Sequence, residues 1–330
     1  MKDSVFKNIL VNIRAFFTVN LKKRINHNSS DIQELQMKMA KMESDYGAIV
    51  DYYLGQTIID YYSRNPDQSV CYAKELAFLQ KTGRRCAFPY DGIDTLGQVE
   101  AGMDTSVGLP YVIHRGRKLY FPDTFSVGEA LDHYKYMVNT EKLLGVGDDD
   151  SAPHQYQSNR VCVEDGDVVF DIGSAEGLFA LDHVDHASRV VLVECDEKWL
   201  KCLHYTFAPF EDKVSVVKKY LCSEDAGQMI TLPTLLSEFA YDSAFIKMDV
   251  EGAETQAIKQ ALDFLRDSKK TLKFSLASYH RQDDSKVLKQ LFDEMGCFSE
   301  FSEGYMLFSE YDTPMPPYFR HGIIRAKKRM

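Results

Sequence analysis

Short apolar runs that end on an acid or a glycine, separated by helix-length segments, constrain this chain more than any other feature. Val168-Val169-Phe170 leads into Asp171-Ile172-Gly173, Val190-Val191-Leu192-Val193 closes on Glu194, and Ala244-Phe245-Ile246-Lys247-Met248 closes on Asp249. Val214 to Val217 and Thr271 to Leu276 supply two further runs. Short apolar strands alternating with helices specify a parallel sheet covered on both faces. The expected fold is α/β, a doubly wound sheet, and such sheets bind ligands beyond the carboxyl ends of their strands, where the strand order reverses. Ser285 to Met295 has helix spacing, and Phe298 to Phe308 reads as an edge hairpin around Ser302-Glu303-Gly304.

The loop after the first of these strands, Asp171-Ile172-Gly173-Ser174-Ala175-Glu176-Gly177, is the candidate cofactor loop. Gly173 permits a tight turn, and Gly177 opens the next helix close to the strand. Dinucleotide folds use Gly-x-Gly-x-x-Gly with a helix N-terminus aimed at a pyrophosphate. Here Ala175 replaces the middle glycine and Glu176 stands where a diphosphate would arrive. Asp171 suits a cationic ligand end instead, and Glu194 can accept two ribose hydroxyls as a fork. These features point to an adenosyl cofactor such as S-adenosylmethionine, with Asp171, Gly173, Ser174, Gly177, Glu194 and Asp249 as its candidate contacts.

Phe245-Ile246-Lys247-Met248-Asp249-Val250-Glu251-Gly252-Ala253-Glu254 delivers one lysine and three acids to the same sheet edge within eight positions. Acids this close repel unless a cation or substrate donors sit among them. Glu251 and Glu254 also suit the first turn of a following helix. With Asp171-Ile172-Gly173-x-x-x-Gly177 and Glu194-x-Asp196, this stretch resembles the FkbM family of S-adenosylmethionine-dependent methyltransferases over about residues 160 to 310. The resemblance implies a seven-stranded, Rossmann-like methyltransferase sheet. It also implies methylation of hydroxyl oxygens of sugars or natural products, with Asp249 and Glu251 at the reaction cleft. The sequence departs from the family at Thr234-Leu235-Leu236, where an acid is common in third place, and at Ser278-Tyr279-His280, which keeps a histidine without its usual acid.

Transfer to an alcohol needs a proton acceptor. His280, just past the fifth strand, is the candidate base, and Asp249 competes for the role. Oxygen-rich clusters also suit magnesium, so Asp249, Glu251 and His280 could hold a divalent ion, though no metal is predicted. Tyr156 offers a flat surface for a sugar ring at the cleft mouth. The expected function is O-methylation of a sugar hydroxyl in glycan or polysaccharide biosynthesis. The alternative is a non-catalytic adenosyl-binding scaffold.

The N-terminal part lies outside the resemblance. Val5 to Arg24 reads as a basic amphipathic helix, compatible with a membrane surface or with packing on protein. Ile32, Leu35, Met39, Met42, Tyr46, Ile49 and Tyr53 are spaced 3-4-3-4-3-4, a heptad seam suited to homo-oligomerisation or to packing on the chain itself. Cys71 to Lys81 and Thr124 to Thr140 have helical spacing, and Tyr111 to Phe121 reads as two strands about a glycine turn. Gly145 to Ser151 reads as a connection. The expected organisation is N-terminal helices over 1–60, a mixed accessory region over 61–157 and the methyltransferase domain over 158–330.

The formal charge of −10 argues against nucleic acid as the main partner and leaves a small-molecule or glycan acceptor. The seven scattered cysteines contain no Cys-x-x-Cys pair, which reads as reduced thiols in a cytoplasmic chain. No apolar run is long enough for a spanning helix.

Overall fold

The computed structural model describes residues 29–83, 85–91, 96–142, 152–308 and 314–328. The expected helix at Val5 to Arg24 and the connection at Gly145 to Ser151 lie outside them. The chain divides into two units, 1–60 with 83–85, and 61–82 with 86–330.

The first unit is dominated by the long helix α1 (Ser29–Arg64), which runs on into the second. Arg85 returns to it, its Nε 2.9 Å from Oδ1 of Asp51 and its backbone N–H donating to the Asp51 carbonyl at 3.0 Å.

The second unit begins with α2 (Pro66–Ser69) and α3 (Ala73–Thr82), then an antiparallel meander of β1 (Ala101–Asp104), β2 (Leu109–His114) and β3 (Arg117–Tyr120), followed by α4 (Val127–Lys142). The expected glycine turn is Arg115-Gly116, both residues at positive φ. The main sheet then alternates with helices. In chain order these are β4 (Val168–Ile172), α5 (Leu178–His183), β5 (Arg189–Val193), α6 (Glu197–Phe207) and β6 (Val214–Val217). A two-stranded ribbon of β7 (Tyr220–Leu221) and β8 (Met229–Ile230) follows, then α7 (Leu232–Ser237), β9 (Ser243–Met248), α8 (Glu254–Asp267), β10 (Thr271–Ala277), α9 (Asp284–Glu294), β11 (Phe298–Phe301) and β12 (Ile323–Lys328).

The sheet order is β11-β12-β10-β9-β4-β5-β6. Strands β4, β5, β6, β9 and β10 are mutually parallel, and β12 runs antiparallel to both its neighbours. The doubly wound seven-stranded sheet expected from the sequence is therefore present. From β4 the chain first builds outward through β5 and β6, then returns to place β9 on the other side of β4. The reversal falls between β4 and β9, the place where sheets of this kind bind their ligands.

Both faces are covered, as a parallel sheet requires. Val168, Phe170 and Ile172 pack with α7, α8 and α9, while Val169 and Phe245 pack with α5, α6, α4 and the meander. The accessory meander thus shares a core with the sheet. Helix α8 shows why these segments are helical, since Ala257, Ile258, Ala261 and Leu265 fall on one buried stripe.

The edge hairpin expected within Phe298 to Phe308 is corrected. Only Phe298–Phe301 is a strand, and its partner is β12. Arg325 and Lys328 disguise β12 in the sequence, because charged residues in a strand normally mark an exposed face. Both are buried. Arg325 Nη1 donates to the Gln157 carbonyl at 2.6 Å, and Lys328 Nζ donates to the carbonyls of Leu265 and Ser268 at 2.7 Å each. Buried charges are tolerated when hydrogen-bonded in this way.

Candidate active site

The crevice at the β4–β9 reversal is built on very close backbone approach. Gly173 has φ +74°, and a Cβ there would stand 2.0 Å from the Asp249 carbonyl oxygen. The Asp249 N–H donates to the Ile172 carbonyl at 3.0 Å, so the ends of the two strands are tied together at this point. Gly177, at φ +82°, begins α5, and a Cβ on it would meet the Phe207 ring at 2.7 Å and Leu203 at 2.9 Å. It is α6, rather than the strand, that this glycine admits.

Asp171 and Lys247 are paired residues of β4 and β9 and point to the same face. The Lys247 ammonium lies 2.9 Å from Asp171 Oδ1 and donates to the Gly173 carbonyl at 2.7 Å. Burial pulls the lysine pKa down, but the Asp171 and Asp249 carboxylates raise it on balance, so Lys247 stays charged. Asp171 is fully buried. The Lys247 ammonium is thus the cation beside Asp171, the residue that the sequence assigns to a ligand ammonium.

Glu194 closes β5 and folds back over the same loop. Its Oε2 accepts from the Ala175 N–H at 2.9 Å, and its Oε1 accepts from the N–H groups of Cys195 and Asp196 at 2.7 and 2.8 Å. Ala175 is held at φ +44°, an uncommon conformation for a residue with a side chain. Ser174 is buried, its N–H directed at the Val193 carbonyl at 3.3 Å.

The second motif converges with His280. Asp249 Oδ1 lies 3.4 Å from His280 Nε2, and Glu251 Oε2 lies 3.6 Å from the same nitrogen. On the other side of the ring, Nδ1 stands 3.2 Å from Glu254 Oε1. The side chain of Asp249 is 19% exposed and that of His280 1%, so Asp249 is the more accessible of the two. Glu251, at φ +57° and 70% exposed, stands at the rim. Burial lowers the His280 pKa, but the hydrogen-bonding and charge of Glu254, with the charges of Asp249 and Glu251, lift it to about 8. Burial alone would raise the Asp249 carboxyl. The hydrogen bond and charge of His154, with His280 and Lys247, hold it well below the usual carboxylate range.

Several partners were missed or misread in the sequence. Glu254 starts α8 as expected, yet it is also wholly buried against His280 and accepts from the Val250 N–H at 2.7 Å. His154 Nε2 lies 3.4 Å from Asp249 Oδ2 and 3.2 Å from the Tyr279 hydroxyl. Tyr156 is no open platform. It is buried, donates its hydroxyl to Asp249 Oδ2 at 2.8 Å, and lays its ring 5.3 Å from the Lys247 ammonium. Arg320, also buried, donates from Nη1 to the carbonyls of Tyr279 and His280 at 2.9 and 3.0 Å. Nothing in the sequence ties Arg320, far along the chain, to Tyr279 and His280.

Among the described residues, Asp249, Glu254 and His280 form a group with metal-ligand spacing, their ligand atoms all within 4.8 Å of one another. Glu254 takes the place expected for Glu251. A metal held there would have to displace the proton from His280.

No protein-family model matches the chain, and no curated protein matches it in sequence. Similar solved structures include the methyltransferase FkbM from Methylobacillus flagellatus KT, at 19% identity and a TM-score of 0.39, covering 52% of this chain and 46% of that one. Precorrin-6y C5,15-methyltransferase from Geobacter metallireducens GS-15 is similar at 17% identity and a TM-score of 0.34, over 51% and 85% of the two chains. An rRNA methylase from Streptococcus thermophilus is similar at 11% identity and a TM-score of 0.32, over 51% and 89%. The chain thus spans less than half the length of the first. No helix of the described residues is long and apolar enough to cross a membrane.

Proposed function

We propose that this chain is an S-adenosylmethionine-dependent O-methyltransferase whose acceptor is a sugar hydroxyl in glycan or polysaccharide assembly. The observation that carries this reading is the donor set at the strand reversal. Asp171, Glu176, Glu194 and Asp249 gather four carboxylates around one loop, and among the described residues Lys247 is paired to Asp171 while histidines stand beside Glu176 and Asp249. Such an edge repels a pyrophosphate and suits a ligand with a positive sulfur, an ammonium and a sugar diol. The backbone of residues 173–177 would hold the methionine end, and Glu194, with one acceptor position left beyond its three backbone bonds, would hold the ribose. The bound nucleoside would supply a methyl group on a positively charged sulfur, displaced in line by the acceptor oxygen.

The protein's own part is proton handling. Asp249 is the accessible group, and its low pKa keeps it an acceptor for the incoming hydroxyl. His280 Nε2, 3.4 Å from Asp249, is where the proton ends. Above its pKa of about 8 the ring is neutral, and Glu254 beside Nδ1 holds the remaining proton there, so that Nε2 is the nitrogen able to take the acceptor's proton. The negative net charge and the motif resemblance favour a small hydroxylated acceptor in the cytoplasm. The purified protein incubated with methyl-labelled S-adenosylmethionine and a panel of sugars and sugar nucleotides should place label on oxygen in at least one. Label released only to water, or transferred to RNA and to no sugar, would refute the acceptor assignment.

A further inference from the structure

Helix α1 carries an apolar heptad seam on a different side from its fully buried residues. Setting Ile32, Met39, Tyr46 and Tyr53 at heptad position a puts Leu35, Met42 and Ile49 at d. The helix's buried residues follow a different line. Gly55, Ile58 and Tyr62 fall at positions c, f and c, and Asp51, which receives Arg85, also falls at f. Position f lies opposite the a/d seam. Among the described residues of the helix the fully buried ones therefore lie on the far side, while on the seam Met42, Ile49 and Tyr53 are 55, 52 and 67% exposed and Leu35, Met39 and Tyr46 are half-buried. The seam stops where Gln56 and Asp60 would fall at d and a. An apolar stripe of this length on a soluble surface marks an interaction site.

We propose that this seam is the parallel, in-register interface of a homodimer. A stripe matching itself under a two-fold axis needs no second protein, since each a and d residue meets its own copy. Orientation comes from the flanking charges. Lys38 falls at g and Glu43, five residues on, at e, the spacing at which g of one helix meets e of the other in a parallel pair. The two-fold then gives two Lys38–Glu43 pairs. In an antiparallel pair g faces g and e faces e, and the match is lost. About three heptads with tyrosine and methionine in the seam make a modest interface, so dissociation on dilution is expected.

Sedimentation of the full chain over a range of concentrations tests this without reference to the reaction. The wild type should show a monomer–dimer equilibrium. M42E/I49E, at two positions already more than half exposed, should be monomeric with an unchanged circular dichroism melt of the α/β unit. K38E should weaken the dimer several-fold, and K38E/E43K should restore it. A chain that stays monomeric at every concentration would overturn the proposal. So would a dimer indifferent to M42E/I49E, a charge reversal that fails to restore the dimer, or a monomer whose seam instead drives binding to phosphatidylglycerol vesicles.

Discussion

Asp171 and Lys247 stand opposite each other on neighbouring parallel strands, 2.9 Å apart and both buried, at the point where the strand order reverses. Removing one charge of a buried pair is costly because the other is left unpaired, on the order of 3–5 kcal/mol. D171N should therefore destabilise the protein by about that amount in urea denaturation, and D171N/K247M should recover a good part of it. D171N within about 1 kcal/mol of the wild type would show that the pair does not hold the site together.

The His280 pKa of about 8 has a definite sign. The proton must be off before the ring can accept one, so turnover should rise with pH through about 8 and level off above it. Stability runs the other way. A histidine whose folded pKa exceeds its unfolded value of about 6.5 stabilises fully below pH 6.5 and loses that contribution as pH climbs through 8, about 2 kcal/mol in all. In H280Q the rate should fall by roughly 10²-fold or more, and both pH dependences should flatten. A rate profile with the same midpoint in H280Q would remove His280 from proton transfer.

Gly173 has no room for a methyl group. G173A must push the Asp249 carbonyl away from a contact at 2.0 Å and also hold alanine at φ +74°. The expected result is loss of S-adenosylhomocysteine binding together with a lower melting temperature. G304A offers a comparison, since its Cβ would meet the Tyr90 hydroxyl and Pro153 away from the cofactor loop. It should lower the melting temperature and leave binding intact.

Arg320 supports the His280 loop through two carbonyls and lies away from Glu194 and residues 173–177 in the sheet order. R320M should lower kcat by roughly tenfold or more with little change in cofactor affinity. Equal losses in both would mean that the whole edge collapses without it.

The strands around the site were legible because each is short, apolar and ends on a residue with visible chemistry. Val168 to Gly173 and Phe245 to Glu254 gave away both position and polarity. What stayed hidden depends on partners distant in sequence. Asp171 reads as an isolated acid, and its pairing with Lys247 is visible only in the strand register. Tyr156 reads as a surface until its hydroxyl is found on Asp249. Strand β12 hides its buried face behind Arg325 and Lys328, whose charges are satisfied by carbonyls of α8 and of the 152–167 segment. Periodicity reports which face of an element is apolar, and it carries no signal for a buried charge whose counterpart lies elsewhere in the chain.

We propose that the carboxyl edge of β5, β4 and β9 binds an adenosyl cofactor through Glu194 and the Gly173 loop. Calorimetric titration of wild type and E194Q with S-adenosylhomocysteine, beside NAD, tests it most directly. The expected result is a single site per chain for S-adenosylhomocysteine, at least tenfold weaker in E194Q, and no heat with NAD. Binding that is absent in the wild type, or equal in the two proteins, would rule this site out.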